Sequence, residues 1–119
     1  MSDETPVSDA TSREAAVRAY YDAIDDGDYD RLAALLRPTF THYRPDRTIE
    51  GRERFVRFMR EDRPMTDTDH VVDAVYPNGV GVAARGRLLD ADGEELFGYV
   101  DVFAFEDGAI AGLETYTDG

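Results

Sequence analysis

Apolar residues recur every three to four positions through the first part of the chain and alternate singly through the second, so helices are expected first and strands after. Val17, Tyr20, Tyr21 and Ile24 stand at i, i+3, i+4 and i+7, which gives a first helix one apolar face. Thr11 and Glu14 make a capping-box pair at its start, and Gly27 closes it from the C′ position. Asp28 then caps a second helix, which turns Tyr29, Leu32, Leu35 and Leu36 inward and stops before Pro38. Residues 40–43 read as a short strand ended by Pro45. Residues 51–63 predict a third helix with Phe55, Val56, Phe58 and Met59 on its apolar side, ended by Pro64.

The remainder reads as β-structure. Asn78-Gly79, Asp92-Gly93 and Asp107-Gly108 are hairpin turns between apolar runs at 70–76, 80–89, 95–105 and 109–117. Two of these runs are long for strands, which predicts bends or bulges near Gly86 and Gly98. Helices followed by an antiparallel meander predict an α+β domain, its three N-terminal helices packed on a strongly curved antiparallel sheet. Residues 1–10 are polar and acidic and are expected to form a disordered tail, leaving 11–119 as one domain.

Within the 95–105 run, strand alternation sets Asp101 on the same face as Phe97, Tyr99, Phe103 and Phe105. A carboxyl among four aromatic rings must be hydrogen-bonded, keep its proton, or look into a cavity. A polar group at the bottom of an apolar pocket is the expected outcome.

Composition narrows the chemistry. Of the 119 residues none is cysteine, and serine occurs only at Ser2, Ser8 and Ser12. All 13 basic residues are arginine. The usual covalent nucleophiles and Schiff-base lysines are therefore missing from the body of the chain, leaving proton transfer, oxyanion stabilisation or water activation. No cofactor is expected. His42 and His70 lack cysteine or closely spaced histidine partners, so no metal site is expected either. The formal charge of −13 argues against nucleic acid as a partner. It fits an acidic, halophile-type protein in a salty cytoplasm, where a short screening length blunts self-repulsion. No run is apolar and long enough for a membrane span, and the N-terminus shows no signal-peptide pattern, so a cytoplasmic location is expected.

Two stretches carry a family likeness. Residues 17–30, Val17-Arg18-Ala19-Tyr20-Tyr21 through Gly27-Asp28-Tyr29-Asp30, are followed by Leu32, Leu35 and Leu36. Residues 99–110, Tyr99-Val100-Asp101-Val102-Phe103 through Asp107-Gly108-Ala109-Ile110, run on to Leu113 and Tyr116. With His42 and the Gly51-Arg52-Glu53 helix start, this pattern resembles the SnoaL-like and ketosteroid isomerase-like proteins of the nuclear transport factor superfamily. The resemblance implies a cone-shaped fold with an internal pocket, a small hydrophobic ligand and a homodimer. It matches Tyr20 to the isomerase's oxyanion-hole tyrosine and Asp101 to its protonated aspartate, an enzyme that also serves as the general example of a carboxylic acid kept neutral by an apolar site. The isomerase's general base falls near Arg44, where no carboxylate stands. Epoxide hydrolases of this fold carry an arginine where this chain has Tyr99, and polyketide-cyclase relatives use an aspartate with a histidine, which singles out His42 beside Asp101.

The expected catalytic residues are thus Asp101 as acid/base, Tyr20 as oxyanion donor and His42 as proton relay. Tyr99, Phe103, Phe97, Phe58, Arg44 and Tyr116 are expected around the ligand. Two functions fit: acid/base isomerisation, cyclisation or hydrolysis of a small hydrophobic carbonyl compound, or a non-catalytic ligand-binding or dimerising/adaptor module on the same fold.

Overall fold

The computed structural model describes residues 9–63, 67–77 and 81–118. Helix α1 (Asp9–Asp26) begins ahead of the Thr11 pair and buries Val17, Tyr20, Tyr21, Ala23 and Ile24, the face that the periodicity predicts. Gly27 ends it with φ 68°, a left-handed conformation that costs glycine little. Asp28 caps α2 (Tyr29–Ala34) by accepting from the Arg31 backbone N–H at 3.2 Å. Helix α3 (Arg52–Arg57) continues into a π-helical turn, Phe58–Asp62, closed by Arg63 N–H to the Phe58 carbonyl. The third helix was expected as one α-helix. Its wider last turn buries both Phe58 and Met59.

Six strands form one sheet: β1 (Leu36–Tyr43), β2 (Thr48–Glu50), β3 (Asp69–Pro77), β4 (Gly81–Leu89), β5 (Glu95–Glu106) and β6 (Ala109–Thr117), in the order β2-β1-β6-β5-β4-β3. Three findings correct the sequence reading. Leu36 belongs to β1, not to the second helix, and the strand runs through Pro38. It does so because the β1–β6 register slips between Leu36 and Thr41, so the proline's missing N–H falls in a bulge. β2 was not foreseen, since three residues carry almost no periodic signal. The sheet is mixed rather than antiparallel throughout, because β1 lies parallel to β6.

The predicted irregularity at Gly86 occurs on its partner strand, where the register shifts between Val72 and Ala74. The irregularity predicted near Gly98 occurs just before it, where the β4–β5 register shifts between Leu88 and Leu89, opposite Phe97 and Glu95. Gly98 itself pairs with Arg87, and its N–H donates to Asp118 at 2.7 Å. Asp107 and Gly108 both have positive φ, as the tight β5–β6 turn requires. The Asn78-Gly79 turn, Pro64 and residues 1–8 of the expected 1–10 tail lie outside the described residues, while residues 9 and 10 are not tail but the start of α1.

The helices cover one face of the sheet. Phe40, Phe55, Phe103, Leu32, Ile110 and Leu113 fill the space between and are essentially inaccessible. Each such side chain contributes roughly 1.5–3 kcal/mol through removal from water. No helix among the described residues is long and apolar enough to cross a membrane.

Candidate active site

Strand β5 points Tyr99, Asp101 and Phe103 inward and leaves Val100 and Val102 exposed, as simple alternation requires. Asp101 ends at a cavity of about 250 Å³. Tyr20 and Ile24 of α1 line it, as do His42 of β1 and Arg44 just beyond that strand. Phe97, Tyr99, Met59 and Thr115 complete most of its wall. Phe103 and Phe58, expected at the ligand, stand behind this lining in the core. Tyr116 faces away: it is 55% exposed on the outer side of the sheet and donates its hydroxyl to Glu114.

Both oxygens of Asp101 are occupied. The Tyr21 hydroxyl donates to Oδ2 at 2.6 Å, and the Thr115 hydroxyl donates to Oδ1 at 2.6 Å. These lengths are typical of bonds to a carboxylate. Burial nevertheless pushes the carboxyl above its usual range, against the pull of Thr115, Tyr21, His70 and Arg44. The network that favours the anion is thus outweighed by its dry setting. A carboxyl in that balance keeps its proton to higher pH than an exposed one does.

The hydroxyl reaching Asp101 is that of Tyr21, next in sequence to the Tyr20 singled out above. Tyr20 lines the cavity with its ring packed on Tyr21 and Phe103, at 5.2 and 5.3 Å between centroids. Burial, and then the Asp101 charge, raises the pKa of both tyrosines, which therefore keep their hydroxyl protons and can donate them.

Thr115 links Asp101 to His42, whose Nε2 lies 2.7 Å from Thr115 Oγ1. While Thr115 donates to an ionised Asp101, it accepts from His42, so that ring carries its proton on Nε2. His42 Nδ1 is then a bare acceptor, buried and without a partner among the described residues. Burial, helped by Arg44, lowers the His42 pKa to about 3, so the ring is neutral at ordinary pH. Tyr99 Oη is the second partnerless polar atom here. The Tyr21 hydroxyl is close enough to lower the Tyr99 pKa in the way a hydrogen-bond donor does, but its proton goes to Asp101. Gly86 makes room for this tyrosine: a Cβ there would come within 2.6 Å of Tyr99 Oη and would also strike the Val71 carbonyl.

At the mouth, Arg44 and Arg47 each stack on Phe58 with 5.1 Å to the ring centroid, and both bond Asp46 at 3.3 Å. On the opposite wall His70 lines the cavity with Nδ1 held 2.6 Å from Asp25 Oδ1. Tyr21, Thr115 and the Asp25–His70 pair were not identified from sequence, although Tyr21 shares its helix face with Asp25 at i+4. No group of three or more His, Cys, Asp or Glu side chains among the described residues is arranged to hold a metal ion.

Comparison with known proteins places this arrangement. A candidate ketosteroid isomerase from Kribbella flavida superposes with a TM-score of 0.82 at 23% identity, covering 93% of this chain and 81% of that one. An LEH-like epoxide hydrolase from M. tuberculosis gives 0.81 at 21% identity, covering 93% and 86%. An NTF2-like protein of unknown function from Cytophaga hutchinsonii gives 0.78 at 20% identity, covering 97% and 94%. At such identities the likeness is one of fold. No curated protein matches the sequence. The SnoaL-like domain profile, however, matches residues 17–113, from the second half of α1 through the strand of Asp101 to Leu113 of β6. The chain therefore belongs to the SnoaL-like domain family and shares the fold of its ketosteroid isomerase-like and NTF2-like neighbours.

Proposed function

We propose that this protein binds a small hydrophobic carbonyl compound in its cone-shaped interior and moves protons on it, as an isomerase, cyclase or hydrolase without a cofactor. The observation that carries this reading is Asp101, a buried carboxyl with a raised pKa at the wall of an aromatic-lined cavity. Asp101 is the acid/base, Tyr20 a donor to the substrate oxygen, and Thr115 with His42 a relay. If Asp101 gains a proton on Oδ1, Thr115 can turn to donate to His42 Nε2, and the His42 proton then resides on Nδ1. A cavity of about 250 Å³ suits a molecule of one or two rings.

The test is carboxyl-carbon NMR of Asp101, assigned with Asp101→Asn and titrated with and without β-tetralone, a two-ring ketone. The expected result is a midpoint well above roughly 3.9 and a resonance that moves on adding the ketone. A midpoint at or below that reference, with no ketone response, removes the acid/base role and leaves a binding or dimerising module.

A specific observation also favours self-association. Tyr76, Ala83, Val102, Glu114 and Tyr43 follow one another across β3, β4, β5, β6 and β1 on the uncovered face of the sheet. Tyr76, Val102 and Tyr43 are all exposed there, as are the nearby Val100 and Tyr116. An apolar surface of this kind is what a homodimer would cover. Val102→Glu would set a charge at its centre while leaving the cavity intact. Sedimentation should show a dimer in the parent protein and a monomer in the variant. A monomeric parent overturns the dimer.

A further inference from the structure

We propose that His70, held by Asp25, is a second proton carrier of this cavity, taking a proton from the carbon next to the substrate's carbonyl. The proposal rests on the acid/base reading above and gives it a base that the neighbourhood of Arg44 lacks.

Asp25 grips His70 at two points. The His70 backbone N–H donates to Oδ2 at 2.9 Å, and ring Nδ1 lies 2.6 Å from Oδ1. Backbone and ring are thereby fixed together, joining the last turn of α1 to the first residues of β3. Both side chains are only 15% exposed. A carboxylate can only accept, so Nδ1 carries a proton, and in the neutral ring the lone pair is therefore on Nε2. No protein group among the described residues bonds Nε2, and His70 lines the cavity. A tether between helix and strand would be satisfied by the backbone bond alone. Orientation of the ring by a carboxylate is what a base needs.

The neighbours fit this role. The His70 ring lies 5.0 Å from the Tyr21 ring and 5.7 Å from that of Tyr99. Tyr21 is the residue that donates to Asp101, so the imidazole and the carboxyl flank a single tyrosine. Tyr99 supplies the partnerless hydroxyl on the same wall. A ketone oxygen seated on Tyr99 Oη would bring its α-carbon toward His70. The α C–H bond breaks, its proton goes to Nε2, and its electron pair moves into an enolate whose oxygen accepts from Tyr99 as well as from Tyr20. Protonated Asp101 then donates to a carbon of the enolate system, forming the new C–H bond. Solvent carries the His70 proton back to Asp101. The substrate class is a one- or two-ring ketone with an acidic α-hydrogen.

The experiment uses β-tetralone in heavy water, with α-hydrogen exchange followed by proton NMR and binding by ligand-induced shifts. His70→Gln is expected to slow exchange by roughly 10²-fold or more with binding retained, which is the usual contribution of a positioned base. Asp25→Asn keeps an acceptor for Nδ1 but loses the charge, and is expected to fall between the two. Nitrogen NMR of the parent protein should show the neutral ring with its proton on Nδ1. Exchange unchanged in a folded His70→Gln protein but lost in Asp101→Asn overturns the His70 role and leaves the acid/base reading standing. A neutral ring protonated on Nε2 also overturns it, whether or not His70→Gln folds. A parent protein that neither binds nor exchanges the ketone, or binds it without exchange, overturns both.

Discussion

Asp101→Asn is expected to lower proton exchange on a bound ketone by roughly 10²- to 10⁴-fold and, at the same time, to raise the melting temperature above neutral pH. The two effects share one cause. Burial raises the folded-state pKa of Asp101 despite two donated hydrogen bonds. In the unfolded chain the same carboxyl titrates near the ordinary value of about 3.9. The folded protein therefore holds this proton to higher pH than the unfolded chain does. Stability is unaffected by the group below the unfolded pKa. It falls as pH rises toward the folded pKa and carries the whole cost above it. Asparagine never ionises, so the variant lacks that slope. Its amide oxygen can accept from one hydroxyl while its NH₂ donates to the other, whose O–H turns away, so both partners stay bonded. Calorimetry from about pH 4 to pH 8 should show the variant gaining on the parent as pH rises. A variant less stable by the same margin at every pH would mean that Asp101 is held for its hydrogen bonds, as part of the structure alone.

Much of this site follows from the two periods of secondary structure. Alternation along β5 puts Asp101 on the inner face with Tyr99 and Phe103, and the helical repeat buries Tyr20 and Tyr21 together. The identity of the carboxyl's partners does not follow. Adjacent residues on a buried helix face point only a fraction of a turn apart, so the helix pattern cannot choose between two tyrosine hydroxyls. The crossing of α1 over β5 decides for Tyr21.

Thr115 was concealed by a bulge. A regular hairpin continued from the Asp107-Gly108 turn would set Glu114 opposite Asp101. The register slips beyond Phe105 and Ile110, so that Thr115 takes that place and Glu114 faces outward opposite Val102. One extra residue thus replaces a second carboxylate with a hydroxyl donor, on which the relay to His42 depends. Nothing local marks that slip. Asp25 and His70 stand 45 residues apart and meet only through the packing of α1 on β3, so no spacing rule reaches them. β2 and the start of β1 failed for a different reason. Three residues carry no period, and Pro38 reads as a stop unless the bulge that accommodates it is known.

Acid should destabilise the protein through His42 with the opposite sign to Asp101. The folded-state pKa of His42 is lowered to about 3 by burial and by Arg44, against a small opposing pull from Asp46, while the unfolded value is near 6.5. The unfolded chain therefore binds a proton that the folded chain refuses. The stabilisation is complete above the unfolded pKa and is lost progressively as pH falls toward about 3. At about pH 4.5 the loss attributable to this ring is roughly 2–3 kcal/mol, at 1.36 kcal/mol for each pKa unit crossed. Carboxylates elsewhere also titrate in acid, so the comparison must be internal. His42→Gln can still donate to Thr115 and never takes up a proton. Denaturant melts of parent and variant at about pH 7 and pH 4.5 should show the variant less sensitive to acid by that difference. An equal loss in both proteins would mean that His42 is protonated in the folded state. The ring would then be an imidazolium at that pH, with both nitrogens as donors, and could not accept from Thr115 as the relay requires.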